Sequence, residues 1–139
     1  MTEWLDQLRQ HRPAVPVAMI SVLATEGSAP RGAGTRMLVT ATDQSGTIGG
    51  GALEFRAVEQ ARAVLALPPG GWRVQDFPLG PLLGQCCGGR VRLLVEHLDP
   101  LRLDWLAGAS EGRTLVTRLT PGHVERWIDD EAETRGLPA

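Results

Sequence analysis

The chain contains no lysine and no tyrosine, so all 14 of its basic residues are arginine. A P-loop lysine, a Schiff-base lysine and a tyrosine acid are therefore excluded. The net charge of −2 argues against a protein whose main task is to neutralise nucleic-acid phosphates. The longest apolar run, residues 15–24, is too short to span a bilayer, and the first residues lack the apolar segment of an export signal. We therefore expect a cytoplasmic protein.

Cysteine is nearly absent as well: the only two thiols, Cys86 and Cys87, are adjacent in "LGQCCGGR". In a reducing compartment two thiols do not form a disulfide framework. Adjacent cysteines chelate one ion poorly, and the three histidines are scattered along the chain, so a structural metal site is disfavoured. The thiols need another explanation.

The periodicity of the apolar residues predicts an α+β fold, a single domain over 1–139 with a mixed or antiparallel sheet. A short amino-terminal helix is expected over 2–12 and one main helix over about 50–67. Residues 120–139 are expected to form a weakly ordered tail. Strands are expected at 16–25, 35–41, 72–77, 88–98 and 113–119.

The stretch "GTIGGGALE" places three glycines, Gly49, Gly50 and Gly51, directly before the main helix. Bare backbone at a helix start can bind an anion, but the same glycines suit a tight turn that requires positive φ. Glu54 falls within the apolar arc of this helix. It is interpreted either as part of a capping box, with the N-cap near Gly51, or as the partner of a ligand or an arginine.

Two further stretches carry candidate residues. In "GSAPRGAGTR", Arg31 and Arg36 present guanidinium groups that suit phosphate or carboxylate, although a solvated loop explains them equally simply. Val91, Leu93 and Val95 lie on one side of the strand at 88–98, and Arg90, Arg92 and Glu96 on the other, outward side. If the alternation continues back through the glycines, Cys87 faces the core and Cys86 faces outward. Cys86 near arginines is then expected to be the reactive thiol.

Three blocks, "TEGSAPRGAGTRMLV", "GTIGGGALE" and "LGPLLGQCCGGRVRLLVE", resemble those of the XdhC/CoxI family over residues 16–97. This family comprises accessory proteins of xanthine dehydrogenase, carbon monoxide dehydrogenase and related molybdenum hydroxylases. The resemblance implies a chaperone rather than an enzyme. Such a chaperone binds the molybdenum cofactor, a molybdopterin, as cargo while sulfur is supplied, and delivers it to the hydroxylase.

The resemblance also implies which residues bind that cofactor. Cys86 is in addition a possible ligand of its molybdenum. The implied set is Ser28, Arg31, Arg36, Gly49, Gly50, Gly51, Glu54, Gln85, Cys86 and Cys87. The implied partners are a molybdenum hydroxylase apoenzyme and a cysteine desulfurase.

The chain departs from longer family members, which continue into a Rossmann-type domain whose motif is not found here. A separate Rossmann-domain protein is therefore a further possible partner, and the edges of so small a sheet favour a homodimer. Two other functions remain open: a thiol-dependent sulfur-transfer enzyme that uses Cys86 as nucleophile, and an interaction module that partners a nucleotide-binding subunit.

Overall fold

The structure, a computed structural model, describes residues 3–11, 15–27, 34–79, 89–109 and 115–128. Within these ranges the chain forms two α-helices and seven strands. The helices are α1 (Glu3–His11) and α2 (Gly51–Val64). The strands are β1 (Ala18–Gly27), β2 (Arg36–Val39), β3 (Gln44–Ser45), β4 (Trp72–Leu79), β5 (Gly89–His97), β6 (Leu115–Thr120) and β7 (His123–Ile128).

Five strands form one sheet in the order β3-β2-β1-β5-β4, and every neighbouring pair is antiparallel. β6 and β7 form a separate antiparallel hairpin. The prediction of an α+β fold with one main helix and a short amino-terminal helix is confirmed. Neither helix in the described ranges has the length and apolar character needed to cross a bilayer.

The first face of the sheet, which we call the α2 face, is covered by helix α2. Alternate residues of β1, β2 and β5 point to this face, and every buried member of the cluster is apolar. Helical spacing predicts an inner side of Leu53, Ala57, Val58, Ala61, Val64 and Leu65. The helix buries all of these except Leu65, which is half-buried against the same cluster.

The opposite face is covered by α1, by two short 3₁₀ turns at Pro100–Arg102 and Asp104–Ala107, and by the β6-β7 hairpin. The prediction that Glu96 faces outward is wrong, because only 1% of this residue is exposed. The alternation along β5 is as predicted, but the face that was expected to be polar is itself covered. Its apolar cluster consists of Leu5, Leu8, Val17, Met19, Leu38, Leu98, Leu103, Trp105, Leu106 and Ala109.

The carboxy-terminal hairpin is tied to the start of β4. The indole N–H of Trp72 donates to the carbonyl of Thr120 at 2.7 Å. A Cβ atom added to Gly70 would lie 2.7 Å from the carbonyl oxygen of Gly122, so this approach requires glycine. The expected weakly ordered tail is therefore wrong over His123–Ile128, which pairs with β6; residues 129–139 lie outside the described ranges.

Helix α2 lies on the sheet with its carboxy-terminal end near the start of β1 and the end of β5. At its carboxy-terminal end, Arg62 donates to the carbonyl of Thr40, and the carbonyl of Leu67 lies 2.8 Å from Nδ1 of His97. Fourteen residues of helix extend about 21 Å. The amino terminus of α2 therefore lies toward the other end of the sheet, where β1 and β4 end and β5 begins. We call this the loop end of the sheet.

Candidate ligand-binding end of the sheet

The triple glycine at the start of α2 has a backbone that other residues rarely adopt. The φ angles are 125° at Gly49, 79° at Gly50 and 68° at Gly51. A Cβ atom added to Gly50 would meet nothing within 4 Å, so conformation and not space requires glycine there. The interpretation as a turn that needs positive φ describes this junction.

Glu54 organises the same junction. Its Oε1 accepts hydrogen bonds from the Thr47 hydroxyl at 2.5 Å and from the backbone N–H groups of Ile48 and Gly50, each at 3.1 Å. The N-cap is Gly50, which has no capping side chain of its own. Glu54 therefore caps the helix, as predicted. It does so from the fourth helical position, and the N-cap is Gly50 and not Gly51.

This carboxylate changes what the junction can bind. Ile48 and Gly50 already donate to Glu54, and the N–H of Gly49 donates to the Thr47 hydroxyl at 3.0 Å. An anion bound at these groups would meet the negative charge of Glu54. The N–H groups of the first helical turn, those of Gly51 and Ala52, have no intrahelical acceptor because of their position and remain for a ligand or water.

Arg36 does not join this junction. Its Cα partner across the strands is Ser21, and directly opposed residues share a face. That is the face away from α2, where the Arg36 guanidinium lies 4.9 Å from the centroid of the Trp4 ring. The structure thus brings Gly49, Gly50, Gly51 and Glu54 together and places Arg36 on the other side of the sheet.

The remaining candidates, Ser28, Arg31, Gln85, Cys86 and Cys87, lie outside the described residues. The described chain before and after Cys86 and Cys87 ends at Leu79 of β4 and resumes at Gly89 of β5, and these two residues are paired at the loop end of the sheet.

A buried charged cluster on the face away from α2 was not predicted from the sequence. Arg126 and Glu96 form two parallel hydrogen bonds of 2.5 and 2.6 Å, and their side chains are 3% and 2% exposed. Arg126 also lies over the ring of Trp105, whose centroid is 6.1 Å from that of Trp4. No local pattern links two residues 30 positions apart, so only the alternating position of Glu96 on a strand could have drawn attention to it.

Several charged groups have shifted pKa values. The pKa of Arg36 is lowered to about 10, mainly by burial and also by repulsion from Arg126, with an opposing attraction to Glu96. The hydrogen bond from Arg92 lowers the pKa of the exposed Asp76, and the one from Arg118 lowers that of Glu125.

A cavity of about 540 Å³ lies between the 3₁₀ turns and the hairpin. Its walls include Trp105 and Trp127, and its arginines face carboxylates: Arg102 pairs with Asp99, and Arg118 with Glu125. Among the described residues, no group of three or more His, Cys, Asp or Glu side chains could hold a metal ion.

Residues 10–76 match the model of the XdhC and CoxI family. The resemblance of these residues to that family is therefore confirmed. The matched region contains the first two of the three blocks, and therefore both Arg36 and the α2 junction. No curated protein matches the chain.

A solved structure shares the fold seen here. It is described as a xanthine dehydrogenase from Bacillus halodurans, and it superposes with a TM-score of 0.73 at 24% sequence identity. The match covers 92% of this chain and 41% of that chain, so this chain spans less than half the length of its structural neighbour. At this identity the likeness shows the fold alone.

Proposed function

We propose that this protein is an accessory protein of a molybdenum hydroxylase, and that it holds the molybdenum cofactor as cargo at the loop end of its sheet. The family match supports the accessory role. The cofactor, the hydroxylase and the supply of sulfur by a cysteine desulfurase belong to the proposal.

The proposal rests on the positions of the three sequence blocks relative to the strands and to α2. The first block follows the end of β1 at Gly27, the second opens α2 at Gly51, and the third links the end of β4 to the start of β5 at Gly89. Since α2 begins toward the same end of the sheet, stretches far apart in sequence reach one end of the molecule. One large ligand could contact all three.

Within this site Glu54 is a positioning residue. It fixes the backbone from Thr47 to Gly50, and so directs the free N–H groups of Gly51 and Ala52 outward. These groups and the positive end of the helix dipole suit an anionic part of the cofactor. The thiols of Cys86 and Cys87 supply soft ligands for molybdenum. No turnover is required of the chain, which distinguishes this function from a sulfur-transfer enzyme.

The test is to produce the protein in cells that make the cofactor, isolate it without oxygen, and measure pterin and molybdenum per chain. We expect both in the unaltered protein, less in Glu54→Ala, and least in Cys86→Ser or Cys87→Ser. Glu59→Ala is the matched control, because Glu59 is an exposed carboxylate on the same helix. Equal retention by all four variants would refute the proposed site, and absence of pterin from the unaltered protein would refute the proposed cargo.

A further inference from the structure

On the face away from α2, one row of residues lies beside the apolar cluster under α1. Across β2, β1, β5 and β4 this row consists of Arg36, Ser21, Leu94 and Val74. Ser21 and Leu94 in the middle of the row are buried, and Val74 at the β4 edge is 39% exposed. Arg36 is half-buried, and its Nη1 lies at an exposed contact, so a small molecule can reach its guanidinium from solvent.

Polar groups in and beside this row have unmet hydrogen bonds. The Ser21 hydroxyl is buried, with 2% of the residue exposed, and has no partner in the structure as described. The Nε atoms of Arg36 and Arg126 are also buried and unpaired there. Buried donors are normally satisfied, so these three together call for an acceptor.

The cluster of Arg36, Arg126 and Glu96 carries a net positive charge, which also favours an anion. Arg36 and Arg126 face a single carboxylate, Glu96, and both oxygens of that carboxylate already bind Arg126. Among the ion pairs of the described residues, none includes Arg36. The loss of hydration and the nearby Arg126 lower the pKa of Arg36, and the attraction to Glu96, which is already paired with Arg126, opposes this only in part.

We propose that Arg36 binds a small oxyanion, a carboxylate or a phosphate group, on the face of the sheet away from α2. The Trp4 ring holds the guanidinium plane, and Nη1 has only a long contact of 3.4 Å to the carbonyl of Gly34. A planar guanidinium with unused N–H groups suits the two-bond geometry of an oxyanion. The hydroxyl of Ser21, opposite Arg36, is the second donor. This site is separate from the junction at α2 and does not depend on the proposed cargo.

The experiment is calorimetric titration of the full chain with inorganic phosphate and, separately, with acetate, at constant ionic strength. We expect one anion to bind with a dissociation constant that rises about tenfold or more in Arg36→Gln, since a lost charge-assisted pair is worth at least 1.4 kcal/mol. Arg118→Gln is the matched control, because Arg118 also lies over a tryptophan ring, that of Trp127 at 5.2 Å, but is paired with Glu125.

The possible results of the titration identify the anion or overturn the proposal. Binding of phosphate but not acetate identifies a phosphate group, and the reverse identifies a carboxylate. Ser21→Ala, which keeps the arginine and removes the hydroxyl, should weaken the same binding severalfold even if Arg36→Gln does not fold. The proposal is overturned if neither anion binds, or if Arg118→Gln weakens binding as much as Arg36→Gln does. Because no molybdenum cofactor is used, that failure would leave the proposed cargo function untouched.

Discussion

The two faces of the five-stranded sheet are buried by different chemistry. On the α2 face the buried residues are apolar apart from His97 at the end of β5, and one amphipathic helix covers the strands. The opposite face buries Glu96 and most of Arg126 among tryptophans, and it is covered by separate pieces of chain. The first face follows from local periodicity, whereas the second depends on partners that meet only in the folded protein.

The largest expected effect tests the charged face. Arg126→Ala leaves Glu96 buried without its partner, which should lower the free energy of unfolding by about 3–5 kcal/mol. Chemical denaturation measures this change. Arg118→Ala breaks an ion pair on the same hairpin that is 63% and 33% exposed, and should cost at most about 1 kcal/mol. Equal costs for the two variants would remove the distinction between a buried and an exposed pair.

A smaller effect is expected at the start of α2. Glu54→Ala leaves the N–H groups of Ile48 and Gly50 and the Thr47 hydroxyl without their acceptor, which should cost about 1–3 kcal/mol. Glu59→Ala, on the same helix, should stay within about 0.5 kcal/mol of the unaltered protein. If denaturation shows no difference between the two variants, Glu54 does not organise the junction.

Gly50→Ala tests whether backbone conformation alone accounts for the glycine. The added methyl group meets nothing, so only the backbone conformation opposes it: φ 79° with ψ −170° is essentially restricted to glycine, and we expect a loss of about 1–3 kcal/mol. Thermal denaturation followed by circular dichroism measures the shift. An unchanged midpoint would show that the junction adopts another backbone.

The smallest effect concerns the exposed pair of Asp76 and Arg92, whose Nε donates to Asp76 at 3.1 Å. The folded-state pKa of Asp76 lies below its usual 3.8, so ionised Asp76 stabilises the fold above that pH. The contribution is lost as the pH falls through the lowered pKa. Asp76→Asn should therefore be slightly less stable than the unaltered protein at pH 7 and equally stable near pH 2. A difference that persists at low pH would assign the effect to packing.

The sequence correctly predicted the features that depend on a single helix or a single strand. Helical spacing identified the inner side of α2, and alternation identified Val91, Leu93 and Val95 in β5. The same alternation left Glu96 on the side expected to be polar, because periodicity reports which residues share a face and not what covers that face. The strand at His123–Ile128 was missed for a related reason, since its pairing with β6 is not marked by a local apolar run.

The candidate site shows the same limit. The capping role of Glu54 follows from its distance to the glycines in sequence, so it was recognised. The position of Arg36 does not follow from its loop, because one place along β2 decides which face its side chain joins. Glu54 and Arg36, which the resemblance assigns to one binding site, therefore lie on opposite sides of the sheet.

The central claim is that the cofactor is held at the loop end of the sheet, and amide hydrogen exchange with and without molybdenum cofactor tests it most directly. The account predicts that bound cofactor slows exchange at Gly51 and Ala52 and at Gly27 and Gly89, and leaves β6 and β7 unchanged. Protection confined to the β6-β7 hairpin and its cavity, with no change at the start of α2, would contradict it.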